Sequence, residues 1–281
     1  MHLEEIDWID YLKRKVFKGK DVLAGVGDDS ALVKIKKDKI LLKSDLFIED
    51  IHFKLKNISF ETIGMRAVAR VISDFAACGG VPKFIGISLG KPNYIKKTHL
   101  KKILEGILKF SKIYKFFLVG GDTSKAFKLF LDVWGVGIAE KYISRSNAKV
   151  DDYIFVTGRL GLNSYNMPFF PKVKEAQNLV KNFKINSMID ISDGFILDLY
   201  RILHESNKGA IVYKDKLPLT KGLNDIYRGE DYELIFTVSK DERRLDFLKQ
   251  KFYLVGKIVS KKNGYKFKGG EKIFIKGYTH F

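Results

Sequence analysis

FIGISLGKPNYIKKTHLKKILEGILKFSKIYKFFLVGGDT, residues 84–123, is the stretch that decides how this chain folds. Phe84 to Leu89 is a short apolar run closed by Gly90 and Pro92, the length and punctuation of a strand. From about Thr98 to Lys112, Leu100, Ile103, Leu104, Ile107 and Leu108 recur at helical spacing on an otherwise charged segment. Phe116 to Val119 is a second strand, and it runs directly into Gly120-Gly121-Asp122-Thr123. Strand, helix and strand in that order predict α/β layering. Two glycines let the backbone approach a ligand, and Asp122 is expected to project from the strand end beside them.

Upstream, Ala31 to Ile35 and Ile40 to Leu42 read as a hairpin turned at Lys36-Lys37-Asp38-Lys39. Antiparallel pairing brings its outer ends, Asp28-Asp29 and Ser44-Asp45, side by side. Residues 60–78 have helical periodicity, with Ser59 as N-cap and Gly79-Gly80 as the stop. At about 100° per residue Asp74 shares the stripe of Ile63, Ala67 and Val71, which places a carboxylate on the buried face. An isolated buried charge is costly, so Asp74 is protonated, paired with Arg70 one turn earlier, or bound to a cation.

Downstream, Leu129 to Ile138 is a further strand, and the pattern restarts after the polar segment 147–152. A domain boundary is therefore expected there, dividing the chain into 1–147 and 148–281. The second part carries strands at Tyr153 to Thr157, Met188 to Asp190, Gly209 to Lys214, Tyr232 to Val238, Phe252 to Ile258 and Lys272 to Ile275. Helices are expected near Val173 to Lys181 and from Asp193 to Glu205, with Ser192 as a cap of the latter. The fold class is α/β followed by α+β, in two domains.

Length and composition narrow the function. At 281 residues, 46% hydrophobic and 30% charged, the chain can bury a substantial core, and no apolar run approaches the ~20 residues that cross a bilayer. An acidic start, Met1 to Asp7, is unlike a signal peptide, and a cytoplasmic protein with no membrane partner is expected. One cysteine, Cys78, and five scattered histidines argue against disulfides and zinc. The net charge of +18 raises nucleic-acid binding. Against it, the lysines are dispersed along the chain, as in Lys13, Lys15, Lys18 and Lys20, and greatly outnumber arginines, which describes a solvated surface rather than base readout.

In this basic chain the carboxylates gather at turns and at the ends of apolar runs: Asp28-Asp29, Asp45, Asp74, Asp122, and Asp190-Ile191-Ser192-Asp193-Gly194. Oxygen ligands in such number suit hard divalent cations, and Mg²⁺ commonly accompanies substrate phosphates. Neither GxxxxGK[ST] nor a GxGxxG after a strand is present, so any nucleotide has to be held through metal-bridging aspartates.

Gly27-Asp28-Asp29, Asp45 with His52-Phe53, Ser73-Asp74-Phe75-Ala76-Ala77, Gly120-Gly121-Asp122-Thr123, Arg145-Ser146, Asp190-Ile191-Ser192-Asp193-Gly194, Gly229-Glu230-Asp231-Tyr232-Glu233-Leu234 and Gly277-Tyr278-Thr279-His280-Phe281 resemble, in the same order, the thiamine-monophosphate kinases. The match runs from about residue 20 to the last residue. The resemblance implies ATP-dependent phosphorylation of thiamine monophosphate on the fold of aminoimidazole ribonucleotide synthetase, as a homodimer formed through the sheet of the N-terminal domain. It implies Asp28, Asp29, Ser44, Asp45, Asp74, Asp122, Asp190 and Asp193 as ligands of several Mg²⁺ ions. Gly121, Asp122, Arg145 and Ser192 become nucleotide contacts; His52, Glu230 and Tyr278 the acceptor pocket; Asp122, Arg145 and Asp193 the catalytic groups. The chain departs from the family at Lys43, where a small hydroxyl residue is common, and in a short stretch between Gly161 and Met188.

Two alternatives stay open. A purine-type synthetase of the same superfamily shares the fold, and the Gly229 to Glu233 and Gly277 to Phe281 segments speak against it. A basic RNA-binding protein would bind with a steep salt dependence and show no Mg²⁺-dependent turnover.

Overall fold

Two six-stranded sheets, joined by one long helix, organise the molecule; the computed structural model describes residues 10, 22–24, 28–35, 38–162 and 165–278. Gly27, the Lys36-Lys37 turn, the N-terminal acidic and lysine residues and the terminal Thr279-His280-Phe281 lie outside the described residues.

The first sheet contains β1 (Val22–Ala24), β2 (Ala31–Ile35), β3 (Asp38–Ile48), β4 (Val81–Lys91), β5 (Phe117–Lys125) and β6 (Phe130–Ile138), in the order β1-β2-β3-β6-β4-β5. Helix α1 (Phe60–Ala77) covers it, and α2 (Lys97–Tyr114) makes the crossover that lets β4 and β5 run parallel. The hairpin of β2 on β3 forms in antiparallel register, Ala31 opposite Leu42. β3, however, runs on to Ile48 and β5 to Lys125, so Ser44-Asp45 and Gly120-Gly121-Asp122-Thr123 lie within strands rather than beyond their ends. The reason is lateral pairing. β3 finds a full-length partner in β6, and β5 in β4, so polar residues that would end an isolated strand are carried into the ladder.

Strand alternation gives this sheet two different faces. Leu41 and Phe47 of β3, with Leu131 and Val133 of β6, pack under Ile63, Val68, Val71, Ile72 and Phe75 of α1. The opposite face carries Leu42, Leu46, Phe84, Phe117, Trp134 and Ile138, all exposed.

The second sheet contains β7 (Tyr153–Val156), β8 (Ile185–Asp190), β9 (Lys208–Val212), β10 (Leu234–Val238), β11 (Tyr253–Ser260) and β12 (Tyr265–Phe267), in the order β12-β9-β11-β7-β10-β8. All pairings are antiparallel except β12 on β9. Helices α3 (Val173–Asn182), α4 (Phe195–Ser206) and α5 (Leu245–Lys251) complete it. The strand expected at 272–275 is reduced to a single bridge from Lys272 to Lys266, and β12 takes that place in the sheet. No described helix is long and apolar enough to cross a membrane.

Helix α1 spans the seam between the sheets. Ser59 caps its start by accepting from the Thr62 amide (3.1 Å), and Gly79, with φ of 74°, terminates it. Its last turn, with Ala76 and Ala77, packs into the core of the second sheet beside Phe155 and Met188. That placement delivers Ser73 and Asp74 to the seam.

Candidate active site

A cavity of about 580 Å³ opens at this seam. Asp28 and Asp29 reach it from the segment before β2, Asp45 from β3, His52 from the turn after β3, and Asp74 from α1. Arg145 enters from the connection between the sheets, Asp190, Ser192 and Asp193 from the β8–α4 junction, Glu230 from the loop before β10, and Tyr278 from the end of the described chain. The expected convergence of the hairpin ends is observed, although Ser44 only borders the cavity. Its hydroxyl donates to Asp132 Oδ1 (2.7 Å), on the face opposite Asp45, because adjacent residues of a strand point to opposite sides.

Asp29, Asp74 and Asp190 form the centre. One carboxylate oxygen from each lies within 4.8 Å of the others, and the residues are 3%, 8% and 2% exposed. Three buried oxygen donors at this spacing fit a hard divalent cation such as Mg²⁺. Burial raises Asp74 well above the ordinary carboxylate range, with Lys43 opposing and Asp190 adding to the rise. Burial also pushes Asp190, helped by the neighbouring Asp29 carboxylate, up to about 7. The Ser73 hydroxyl donates to Asp190 Oδ2 (2.6 Å) and opposes this rise.

Cations of the chain hold the surrounding carboxylates. Arg145 forks onto Asp29, with Nε 3.0 Å from Oδ2 and a second contact to Oδ1. Asp28 accepts from Tyr142 (2.6 Å) and Ser144 (2.9 Å), yet burial still raises it. Arg70 does not pair with Asp74 one turn away. Its Nε and Nη2 donate to Asp45 (3.0 and 3.2 Å), and Nη1 donates to Glu230 Oε1 (3.0 Å). Burial alone would raise Asp45, but Arg70 and then Lys43 outweigh it and hold that carboxyl below its usual range. Asp74 takes Lys43 instead, Nζ to Oδ2 at 3.0 Å.

The 229–232 loop is zipped onto the β8–α4 junction. Glu230 N–H donates to Ser192 O (2.7 Å) and Tyr232 N–H to Ile191 O (2.8 Å). The approach is close enough that a Cβ on Gly229 would fall 2.3 Å from Ser192 O, which explains the glycine. Glu230 and Tyr232 then adopt φ of 71° and 51°, a costly conformation for such residues. Arg66 and Arg70 grip the Glu230 carboxylate from α1, so this residue ties the two sheets together across the cavity.

At the start of α4 the expected cap by Ser192 is not what forms. The helix begins at Phe195, after Gly194 with φ of 117°, and Asp198 reaches back from inside it. Asp198 Oδ2 accepts from the amides of Asp193 (2.9 Å) and Gly194 (3.1 Å). Arg201 joins Asp198 (2.6 Å) to Asp193 (2.5 Å). Burial pushes Asp198 up to about 7 against the opposing Arg201 charge. The Asp193 carbonyl also receives the Tyr278 N–H (3.0 Å), anchoring Tyr278 at the cavity. His52 is oriented by the Ile48 N–H donating to Nδ1 (3.0 Å), which leaves Nε2 to carry the proton of the neutral ring.

Gly121 and Asp122 lie elsewhere. They sit on β5, the edge strand of the first sheet, exposed and outside the cavity lining. Asp122 accepts from the Thr123 amide (2.7 Å) and the Ser124 hydroxyl (3.3 Å), and Gly121 is pressed so near β4 that a Cβ would meet Ile87 O at 1.8 Å. Asp122 is level with Ser88 of β4, which in turn faces Asp132 of β6, on the exposed side of the sheet. Sequence reading overlooked Lys43, Arg70, Asp198 and Arg201 as parts of the site. Lys43 was legible in one respect, since it precedes Asp45 by two residues and so shares its strand face.

Residues 27–139 match the family described as AIR synthase related protein, N-terminal domain, and residues 169–267 its C-terminal domain. The thiamine-monophosphate kinase of Buchnera aphidicola subsp. Acyrthosiphon pisum is 34% identical, covering 96% of each chain, and that of Bacillus subtilis is 31% identical, over 99% of this chain and all of the relative. The solved structure of AaThiL complexed with AMPPCP and TMP superposes with a TM-score of 0.87 at 28% identity, covering 99% of this chain and 97% of the other. Hydrogenase maturation protein HypE in complex with ATP, at 17% identity and a TM-score of 0.72, shares the fold. With both family domains matched in order and curated relatives aligned along almost their whole length, this chain belongs to the AIR synthase related family and, within it, to the thiamine-monophosphate kinases.

Proposed function

We propose that this chain transfers the γ-phosphoryl group of ATP to the phosphate of thiamine monophosphate, giving thiamine diphosphate and ADP, by direct in-line displacement. The observation that carries the reading is the convergence, in one cavity, of carboxylates from both sheets with Arg145, Arg70 and Arg201 among them. Two polyanions have to meet there, and such a site manages charge more than it makes or breaks covalent bonds. Asp29, Asp74 and Asp190 at the centre, with Asp28, Asp45 and Asp193 around them, would hold the Mg²⁺ ions, which when bound neutralise charge on the transferring phosphoryl group.

The acceptor is a phosphate monoester with its second pKa near ~6, so it is largely ionised at neutral pH and needs no strong base. Arg145 places a fixed charge at the cavity wall, aligned by its fork onto Asp29, where it can meet a phosphate. The Tyr278 ring supplies a flat wall suited to the cationic thiazolium, and His52 and Glu230 border the same space. Ser192 contacts the nucleotide from the β8–α4 junction. Residues 1–147 would then form the nucleotide and metal domain, and 148–281 the domain that completes the acceptor site.

The exposed apolar face of the first sheet supports a homodimer through that face, which would also bring Gly121 and Asp122 of the edge strand into a covered environment beside the nucleotide. We assign the enzyme to the cytoplasm.

The test is product formation from ATP and thiamine monophosphate with and without Mg²⁺, alongside Asp122→Asn. Activity is expected only with Mg²⁺, and the variant is expected to keep its fold and lose orders of magnitude in turnover. Unchanged product formation in excess chelator sinks the metal reading, and near-wild-type turnover of Asp122→Asn removes that residue from the site.

A further inference from the structure

Two cations of the chain already sit against the acidic centre, Arg145 on Asp29 and Lys43 on Asp74. The Lys43 ammonium lies 3.0 Å from Asp74 Oδ2, and its side chain is only 26% exposed. Of the three central carboxylates, Asp29 has the Arg145 fork, Asp74 has Lys43, and Asp190 has the Ser73 hydroxyl. Lys43 points inward because it occupies the same face of β3 as Leu41 and Asp45, and pairing with β6 prevents any change of face without a register slip. A lysine side chain is a cation at neutral pH, and the Asp74 carboxylate holds that cation in place. A lysine head is a compact point charge with three donors on a flexible stem, closer in character to a small metal ion than a guanidinium is.

We propose that Lys43 is a tethered cation that takes the place of one divalent ion at Asp74, so that the acidic centre holds together before metal and nucleotide arrive and recruits one ion fewer. The inference rests on the proposed reading of Asp29, Asp74 and Asp190 as a divalent-cation site. The stem of Lys43 fixes the charge at an effective concentration that free ions reach only at high salt, so the chelated protein keeps Asp74 compensated. Without Lys43 the same carboxylate demands an ion from solution.

The experiment compares wild type with Lys43→Thr, both stripped of metal. Mn²⁺ binding is measured without nucleotide by electron paramagnetic resonance, and thermal unfolding is followed in chelator and in millimolar Mg²⁺. Lys43→Thr is expected to bind one more Mn²⁺ per chain, or its first ion about tenfold tighter, and to gain more in melting temperature from Mg²⁺ than wild type does. Lys43→Gln, which keeps the stem and removes the charge, is expected to behave alike and serves if the shorter variant fails to fold. Equal stoichiometry, equal affinity and equal Mg²⁺-dependent stabilisation in wild type and variants overturn the tethered cation while leaving the cluster a metal site. No Mn²⁺ bound by any of the proteins overturns the metal reading of the cluster, and this inference with it.

Discussion

Asp190 makes the stability of the metal-free protein depend on pH in an unusual direction. An ordinary aspartate, with its pKa near 3.8, loses its proton well below neutrality, whereas burial and the Asp29 carboxylate push Asp190 up to about 7. Between those two values the folded chain binds a proton that the unfolded chain has released, so stability falls as pH rises through the window. At about 1.4 kcal/mol for each tenfold in proton affinity, the full step is about 4 kcal/mol, a large fraction of the ~5–15 kcal/mol that holds a typical domain. The perturbation is Asp190→Asn, which keeps the size of the side chain and an acceptor for Ser73 but cannot ionise. The assay is urea unfolding in chelator at a series of pH values from 4.5 to 8, run on both proteins. Wild type is expected to lose stability across this range more steeply than the variant, and Asp190→Asn to be the more stable of the two at pH 8. Millimolar Mg²⁺ at pH 8 should close the gap by stabilising wild type, because a bound cation favours the ionised carboxylate. Parallel pH profiles for the two proteins would refute the reasoning, since they would mean that the cluster bears its three charges without penalty.

Other expectations concern the surrounding frame. Arg70→Met removes the bidentate partner of Asp45 and one of the two arginines on Glu230, which keeps Arg66, and is expected to cost about 3 kcal/mol in denaturant unfolding; a loss under about 1 kcal/mol would show that these pairs are replaceable by water. Gly229→Ala forces a Cβ against Ser192 O and should displace the 229–232 loop, raising KM for thiamine monophosphate while the far-ultraviolet circular dichroism stays unchanged. An unaltered KM would detach that loop from the acceptor pocket. Trp134→Glu, on the exposed face of the first sheet, is expected to yield a monomer in light scattering and wild type a dimer; a dimeric variant would place the interface elsewhere, and a monomeric wild type would remove the proposed dimer.

Much of the architecture is legible in the residues themselves. The apolar periods of 60–78 and 98–112 announce α1 and α2, and the runs around them announce strands, because side-chain spacing is a local property of a helix or a strand. Asp74 could be placed on a buried face from its stripe alone. Strand lengths were not local. β3 and β5 extend through Ser44-Asp45 and Gly120 to Thr123 because β6 and β4 supply the ladder, and no window of sequence contains that partner.

The candidate site divides in the same way. By itself the sequence determined which residue types are available: carboxylates at turns and strand positions, few histidines, a single cysteine, and an order of motifs that marks the family. Only the tertiary structure decided their company. Asp29, Asp74 and Asp190 come from a loop, a helix and a strand end, and are within 4.8 Å of one another because α1 bridges two sheets. Arg70 chose Asp45 and Glu230 over the Asp74 one turn away, leaving Asp74 to Lys43. Pairing of charges depends on distance and burial in three dimensions, and neither quantity is written in the spacing along a chain.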